Sequence, residues 1–287
     1  MSLLGASNMN MNMNMNMNMA VGPDGTFTRV RFNTADFRKL VTLAPPTITP
    51  TPSKYLKNWD AELRSYVFLK NFVGKASPTE AEWFAEVRAA LPLAPPSAIP
   101  PASEITAVLD KAADRDDRFA EIIHQHDSEG AISYFLGMFM IDPARHSNAF
   151  FLIRVARRIG ELAVMCLKDE FRFPRPSQIC PAIVPMIDPP NTPAFPAGHA
   201  LQARLITRCL EMVVDPSNIP ALNAPPTVTP LRFLADRIAD NRVVAGLHFP
   251  RDNEAGVVVA DTIFARLLRR SSFTDLVTAA QTDLQPS

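Results

Sequence analysis

The sequence contains few cysteines, and this scarcity limits the kinds of protein it can encode. Its three cysteines, Cys166, Cys180 and Cys209, are too few and too scattered for a disulfide framework, and none forms a closely spaced metal-binding pair. We therefore expect buried free thiols in a reducing compartment.

An excess of charge of one sign is also lacking. Lys and Arg together number 29, Asp and Glu together number 29, and the formal net charge is zero. This balance provides no overall field that would attract nucleic acid or an anionic membrane. We expect no nucleic-acid partner, and any positive field must be local.

Uninterrupted apolar runs long enough to cross a bilayer are missing as well. The stretch 131–141 is too short, and the stretch 149–167 is interrupted by four charged side chains: Arg154, Arg157, Arg158 and Glu161. The N-terminus has no basic region followed by an apolar core, as a secretory signal would. We expect a soluble, cytoplasmic chain without a membrane span or a signal peptide.

The residues that are present indicate a short biased tail followed by one long domain. Asn and Met alternate from Asn8 to Met19, which gives no consistent apolar face, so we expect residues 1–22 to form a disordered low-complexity tail. Hydrophobic residues make up 47% and charged residues 20%, which is ordinary globular usage. We expect 23–287 to form a single helical domain whose catalytic part covers 147–270.

Proline is abundant, and its 27 residues concentrate in 45–52, 92–101, 174–196 and 216–230. These segments are typical of rigid connectors between helices. Between them apolar residues recur at three- and four-residue spacing, and no persuasive strand alternation is seen. The predicted fold class is all-α, a helical bundle with proline-rich crossover loops. The predicted helices cover 53–73, a segment after Ser77 as N-cap, a segment from Ser103 as N-cap towards His126 with a break, 131–140, 148–170, 199–214, 231–245 and 252–268.

Several residues outside these patterns have simple structural interpretations. Residues 114–118, Asp-Arg-Asp-Asp-Arg, are expected to form a solvated helix face. Met138 and Met140 are expected to fill the core. Three histidines match no motif and are expected to be solvated or to pack structurally: His124, His126 and His146.

Three separated patches, each at the end or start of a predicted helix, combine cations, imidazoles and a helix N-terminus. The first is Lys168, six residues, and then Arg175 and Pro176. The second is Pro196, Ala197, Gly198 and His199. The third is Asn241 and Arg242, five residues, His248, three residues and Asp252.

In this order and spacing the patches resemble the signature of the superfamily shared by vanadium-dependent haloperoxidases and type 2 phosphatidic acid phosphatases, in its soluble branch. That signature reads Lys, six residues, Arg-Pro; then Pro-Ser-Gly-His; then Ser-Arg, five residues, His, three residues and Asp. The match extends from Lys168 to Asp252. One patch alone would be a weak signal, but three in order make a chance match improbable.

The chemistry of the patches agrees with a site for a tetrahedral oxyanion. Vanadate or phosphate spreads its charge over several oxygens, which two planar guanidiniums and one ammonium can neutralise through charge-assisted hydrogen bonds. Glycine at a helix start lets the backbone approach closely, and its N–H is a ready anion donor. The predicted oxyanion-binding set is Lys168, Arg175, Ala197, Gly198 and Arg242.

The resemblance also implies catalytic roles. His248 is implied as the axial residue whose ring nitrogen binds the vanadium of vanadate in haloperoxidases, or attacks phosphorus in phosphatases. Asp252 would hydrogen-bond the other ring nitrogen and fix the tautomer. His199 would be the acid and base on the opposite side, and Lys168 would polarise peroxide in the oxidative branch. The positions implied near the halide are Met165 and Thr192.

Two positions depart from the signature, because Ala197 and Asn241 stand where the family has serine. Loss of the first hydroxyl removes a donor to the oxyanion, worth roughly 1.5 to 3 kcal/mol for a hydrogen bond to a charged group. Weaker or altered turnover is therefore an open outcome.

Three functions are compatible with these residues. The first is a haloperoxidase that uses a vanadate cofactor, hydrogen peroxide and halide, and the Glu-Phe-x-Phe-x-Arg-Pro sequence ending at Pro176 resembles that branch. The second is a phosphatase that acts on a phosphomonoester without a cofactor, with His248 as phosphohistidine nucleophile. The third is a degenerate oxyanion-binding or scaffold protein. Bundles of this type often form homodimers, although no feature of the sequence establishes one.

Overall fold

The structure of the protein is a computed structural model that describes residues 78–91, 100–214 and 229–284. Within these residues 72% are helical and no strand occurs, which confirms the all-α prediction. The predictions for the tail 1–22, the helix 53–73 and the N-cap Ser77 lie outside the described residues.

The described helices follow the predicted order. In chain order they are α1 Pro78–Ala90, α2 Ala102–Lys111, α3 Phe119–His124, α4 Ser128–Met138, α5 Ser147–Phe171, α6 Pro176–Ile179, α7 Gly198–Val214, α8 Pro230–Val244, α9 Pro250–Leu267 and α10 Ser271–Asp283. None of them combines the length and the apolar content that crossing a bilayer requires. The three cysteines are free and buried, as predicted.

Helix α7 occupies the centre of the bundle and packs against α5, α8 and α9. Two glycines permit this close approach. A Cβ atom at Gly160 of α5 would lie 2.8 Å from the Leu201 side chain, and one at Gly256 of α9 would lie 2.8 Å from the carbonyl oxygen of Ala197. Both distances are shorter than van der Waals contact. A side chain at Gly256 would push α9 away from the backbone of α7, whereas one at Gly160 would require the Leu201 side chain to move.

The proline-rich crossover between α5 and α7 is pinned to the bundle by backbone hydrogen bonds. The N–H of Ala194 donates to the carbonyl of Phe173 at 2.8 Å, and the N–H of Met186 donates to the carbonyl of Ala245 at 2.8 Å. The rings of Phe173 and Phe195 pack at a centroid distance of 5.4 Å. The crossover is thereby held against the C-terminal ends of α5 and α8.

The region from 101 to 126 confirms one prediction and corrects another. Helix α2 ends at Lys111 and a 3₁₀ turn, Ala112–Asp114, follows before α3 begins, so the predicted break is present. However, α2 begins at Ala102 with Pro101 at the N-cap position, and no side chain caps it. The assignment of Ser103 as N-cap is wrong by two residues.

The prediction of a solvated helix face at 114–118 is wrong for its two arginines. These residues form turns beyond the 3₁₀ segment. Arg115 Nε donates to the carbonyl oxygen of Val244 at 2.8 Å, and Arg118 Nη1 donates to Asp240 Oδ2 at 2.5 Å. Burial lowers the pKa of Arg115 to about 10. Both arginines fasten this turn to the C-terminal end of α8.

The two methionines predicted in the core are exposed instead. Helix α4 ends at Met138, whose side chain is 42% exposed, and Met140 is 83% exposed. Met140 has a φ of 50°, the left-handed region in which the chain leaves the helix axis. The prediction was wrong because the helix ends at Met138 and its apolar face does not extend through Met140.

Two described helices were not predicted. Helix α6 is a single turn, and α10 packs along α5. Phe273, Val277 and Ala280 of α10 are buried at helical spacing, which is the signal that would have revealed this helix. The Asp283 carboxylate accepts hydrogen bonds from the N–H groups of Asn148 and Ala149 at the start of α5.

Candidate oxyanion site

The three sequence patches meet at one end of the bundle. The last turn of α5, the residue before α6, the first turn of α7, the last turn of α8 and the start of α9 each contribute to this place. The catalytic and binding side chains predicted there are buried: Lys168, Arg175, His199, Arg242, His248 and Asp252.

The imidazole of His248 is held between a cation and a carboxylate. Its Nε2 lies 2.9 Å from Arg175 Nη1, and its Nδ1 lies 3.3 Å from Asp252 Oδ2. A guanidinium can only donate, so Nε2 accepts and the ring proton is on Nδ1. The unprotonated Nε2 of His248 therefore points towards the cations of the site.

Asp252 fixes this arrangement from the first turn of α9. Its Oδ2 also accepts a hydrogen bond from the N–H of Phe249 at 2.9 Å, and Phe249 is the N-cap residue of the helix. Burial raises the pKa of Asp252 to about 6. One carboxylate thus caps the helix and orients the imidazole.

Burial also keeps the His248 ring neutral. Loss of solvation lowers its pKa well below 6.5, and the charges of Arg175 and Lys168 lower it further. A neutral imidazole with an unprotonated Nε2 is the form that binds an electrophilic centre.

Arg175 is immobilised by its own hydrogen bonds. Nε donates to the carbonyl oxygen of Thr192 at 2.9 Å, Nη1 to that of Leu247 at 2.9 Å, and Nη2 to Thr192 Oγ1 at 3.1 Å. The crossover and the turn before α9 therefore determine where this guanidinium lies. Thr192 contacts Arg175 at the site, whereas Met165 is buried in the main hydrophobic core.

Lys168 is held at the site by the crossover between α5 and α7. Its Nζ donates to the carbonyl oxygens of Pro193 and of Ala194, the latter at 3.1 Å. Burial lowers the pKa of Lys168 well below its usual range, and the Arg175 charge adds to this effect. An ammonium has three donors, so one N–H remains beyond these two bonds.

Arg242 is the cation with unused hydrogen-bonding capacity. Its side chain is 1% exposed, and Nη1 donates to the carbonyl oxygen of Gln125 at 3.1 Å. Nε and Nη2 are buried without a partner. Burial and the Arg175 charge lower the pKa of Arg242 to about 9. Buried donors without acceptors are costly, so this guanidinium is suited to an anion.

His199 shares an acceptor with Arg242. Its Nε2 lies 3.0 Å from the carbonyl oxygen of Gln125, and since a carbonyl only accepts, Nε2 carries the proton there. Burial lowers the pKa of His199 well below 6.5, with a further contribution from Arg242. A charge on His199 would also lower the pKa of His248, so the two rings are close enough to interact electrostatically.

The start of α7 contributes less than the sequence suggested. The N–H of Ala197 donates to the carbonyl oxygen of Asp252 at 2.9 Å, so this amide is already engaged, and its methyl group packs in a small cluster with Ala200 and Ala239. Gly198 begins the helix, where N–H groups lack intrahelical acceptors. Of the pair, the Gly198 amide is the donor suited to an oxyanion.

The side chain of Asn241 makes its hydrogen bonds to residues outside the predicted oxyanion-binding set. Its Nδ2 donates to Gln125 Oε1 at 2.8 Å and to Glu121 Oε2 at 3.0 Å, and its Oδ1 accepts from Arg118 Nη1 at 3.2 Å. This asparagine therefore secures Gln125, whose carbonyl in turn binds Arg242 and His199.

Two residues at the end of α3, Gln125 and His126, were not predicted at the site. Gln125 is fully buried and His126 is 9% exposed. No local pattern identifies them, because they reach the site only through the packing of α3 on α8. His124 is exposed and stacks edge-on against Tyr134, and His146 Nδ1 accepts the N–H of Asp142, in line with their predicted structural roles.

Comparison with known proteins adds no assignment to this geometry. Neither a scan against protein-family models nor a search of curated proteins finds a match to the chain.

Proposed function

We propose that this protein is a vanadate-dependent peroxidase of the haloperoxidase type, which oxidises halide with hydrogen peroxide at a vanadate held on His248. The observation that carries the proposal is the His248 ring, whose Nδ1 proton is directed to Asp252 while Nε2 is unprotonated beside Arg175. Three buried cations of the site influence the pKa of that ring: Lys168, Arg175 and Arg242.

The residues present fit a tetrahedral oxyanion. Nε2 of His248 would bind its central atom, and the two unpartnered donors of Arg242 would bind its oxygens together with Arg175, Lys168 and the Gly198 amide. Within 78–91, 100–214 and 229–284 no cluster of His, Cys, Asp and Glu could hold a metal ion. An oxyanion held by one imidazole and by hydrogen-bond donors needs no such cluster. When bound, vanadate supplies the electrophilic activation of peroxide that lets it oxidise a halide.

His199 would be the acid and base of the proposed peroxidase. Its lowered pKa makes the ring neutral near pH 7, which is the state that accepts a proton from an incoming hydrogen peroxide. Lys168, with its remaining N–H, would stabilise negative charge that develops on the peroxide oxygen.

The second candidate function is a phosphatase that uses the same ring. The Nε2 lone pair of His248 would form a bond to phosphorus while the bond to the alcohol oxygen breaks and that oxygen takes a proton from the protonated form of His199. Water would then cleave the bond between phosphorus and Nε2 and release phosphate. The feature in its favour is the tautomer itself, because an unprotonated Nε2 is also the nucleophile that this reaction requires. A scaffold protein is disfavoured, since packing alone would not maintain unpartnered donors on a buried arginine.

The test uses two assays on one preparation. The purified chain is charged with orthovanadate and assayed for peroxide- and bromide-dependent halogenation, then stripped and assayed on a chromogenic phosphomonoester. We expect halogenation that is lost in His248→Ala and retained in His124→Ala, whose ring is exposed. Ester hydrolysis that vanadate inhibits, without halogenation, would replace the peroxidase with the phosphatase. Inactivity in both assays would overturn both enzymes.

A further inference from the structure

We infer that His126 is a further oxyanion-binding residue, which binds an oxygen of the same anion as Arg242. This inference rests on the proposed function, because it concerns the same anion. It adds a contact that none of the three sequence patches contains.

The backbone brings His126 to the site. The carbonyl of Gln125, which accepts hydrogen bonds from both Arg242 Nη1 and His199 Nε2, belongs to the peptide that ends at the nitrogen of His126. The fixed dimensions of a peptide therefore place the α-carbon of His126 within a few ångströms of both donors. The turn is further secured by the His126 N–H, which donates to the Ile123 carbonyl at 3.2 Å.

The side chain of His126 has an unused polar atom on its buried edge. Its Nδ1 is buried without a hydrogen-bond partner, as are Nε and Nη2 of Arg242. These two side chains are 9% and 1% exposed, so solvent cannot satisfy them. Three buried polar atoms on two neighbouring side chains, those of His126 and Arg242, thus lack hydrogen-bond partners. One anionic ligand bound by both side chains would explain all three.

The charged groups near His126 are one guanidinium and two carboxylates. Burial and the Arg242 charge lower its pKa to about 4, and the carboxylates of Asp127 and Asp188 act in the opposite direction. Asp127 Oδ1 is engaged by the N–H of Gly130 at 2.6 Å, and Asp188 is exposed. His126 is therefore close to the buried Arg242 guanidinium and also to two carboxylates, those of Asp127 and Asp188.

The chemistry of a neutral imidazole defines its contact. One ring nitrogen carries a proton in either tautomer, and a proton on Nδ1 would be donated to an anionic oxygen already bound by Arg242. Arg175 and Lys168 have most of their donors already engaged by backbone carbonyls, the Thr192 hydroxyl and the His248 ring. The contribution of His126 and Arg242 to affinity should therefore be large.

The experiment measures the affinity of the full chain for orthovanadate, and separately for inorganic phosphate, by isothermal titration calorimetry. His126→Leu removes both ring nitrogens, and His126→Asn retains a donor at the position of Nδ1. His124→Leu, at the last residue of α3 and two residues before His126, is the matched control, because its ring is exposed. We expect His126→Leu to raise the Kd about tenfold or more. His126→Asn should recover most of this loss, and His124→Leu should leave the Kd unchanged.

A readout on the unmodified chain removes any dependence on the folding of these variants. The Cε1–H signals of the five histidines are followed by NMR as phosphate is added, and the His126 signal is expected to shift with the calorimetric Kd. Binding that His248→Ala abolishes but His126→Leu leaves intact, with an unmoved His126 signal, would overturn this inference alone. A wild-type chain that binds neither anion would overturn the proposed function as well.

Discussion

The Nδ1 atom of His248 lies 3.3 Å from the carboxylate of Asp252, four residues further along the chain and in the first turn of α9. The same carboxylate oxygen accepts the N–H of Phe249, the N-cap residue of α9. The residue that fixes the tautomer of the imidazole therefore also stabilises the start of the helix. The direction of the Nε2 lone pair is therefore set by the start of α9.

Replacement of Asp252 with alanine should remove the hydrogen bond that orients the His248 ring. We expect the vanadate Kd to rise about 10- to 100-fold, which is the usual effect of losing a residue that orients a ligand imidazole. The free energy of unfolding should also fall by about 1 kcal/mol because the helix cap is lost. Glu254→Ala, at an exposed position of the same helix, is the control. Equal vanadate affinities of the two variants would show that Asp252 does not orient the ring.

Arg242 should be a residue whose removal stabilises the fold and abolishes binding. Its Nε and Nη2 are buried without partners, so Arg242→Met should raise the free energy of unfolding by roughly 1 to 3 kcal/mol. Vanadate binding should be lost in the same variant, as expected for a group maintained for function. Urea denaturation and calorimetry measure the two effects.

The control for Arg242→Met is Arg237→Met on the same helix. Arg237 is partly exposed, and its Nε and Nη2 both donate to the Glu121 carboxylate at 2.8 Å. This variant should lose a little stability and keep vanadate binding. A loss of stability in Arg242→Met as large as that in Arg237→Met would show that the unpartnered donors of Arg242 do not destabilise the ligand-free fold.

The position of α7 should depend on the absence of a side chain at Gly256. Alanine normally stabilises a helix interior by about 1 kcal/mol relative to glycine, but a Cβ here would lie 2.8 Å from the Ala197 carbonyl and 3.0 Å from the Leu201 nitrogen. We expect Gly256→Ala to lower the Tm and to weaken vanadate binding, because the start of α7 carries Gly198 and His199. Thermal unfolding and calorimetry test both effects.

Gly137 provides the matched control for Gly256. It lies in α4, and a Cβ atom added there would have no neighbouring atom within 4 Å, so Gly137→Ala should be neutral or slightly stabilising. A Gly256→Ala variant that behaved in the same way would mean that α7 and α9 do not pack closely enough to exclude a methyl group.

The helices were largely predictable because each one carries its own apolar periodicity. Helices α5, α7, α8 and α9 begin and end within two residues of their predicted bounds. The errors occur where a helix end is decided by distant contacts. The arginines at 115 and 118 were predicted to be solvated because the sequence does not show that the C-terminal end of α8 lies beside them.

The candidate site was predictable to the extent that its residues lie in the three spaced patches. The convergence of Lys168, Arg175, His248 and Asp252 follows this pattern. Gln125 and His126 could not be found in this way, because they approach Arg242 through tertiary packing across a sequence separation of more than a hundred residues. Ala197 illustrates a further limit, since its amide is engaged by a carbonyl of another helix.

Stability should fall as the pH is lowered below neutrality. The pKa values of His126, His199 and His248 are all lowered from 6.5 by burial. Below pH 6.5 the unfolded chain therefore binds protons that the folded chain does not, and stability decreases by about 1.4 kcal/mol per pH unit for each such proton. Asp252 acts in the opposite direction between pH 3.8 and about 6, because its pKa is raised in the folded chain.

Urea denaturation at pH 7.5, 6.5 and 5.5 would measure this dependence. The net effect of three histidines against one carboxylate is a loss of stability on acidification. His248→Gln should have a shallower dependence than the wild type, since one buried imidazole is removed. Constant or rising stability between pH 7.5 and 5.5 would show that these rings are not buried in the neutral form.

The most direct measurement is the ¹⁵N spectrum of the histidine rings during a titration with orthovanadate. The ligand-free chain should show His248 with a protonated Nδ1 and an unprotonated Nε2, and saturation with vanadate should shift the Nε2 resonance as its lone pair is engaged. An Nε2 resonance of His248 that stays unchanged at saturating vanadate, or that carries the ring proton before any is added, would contradict the proposed role of this ring.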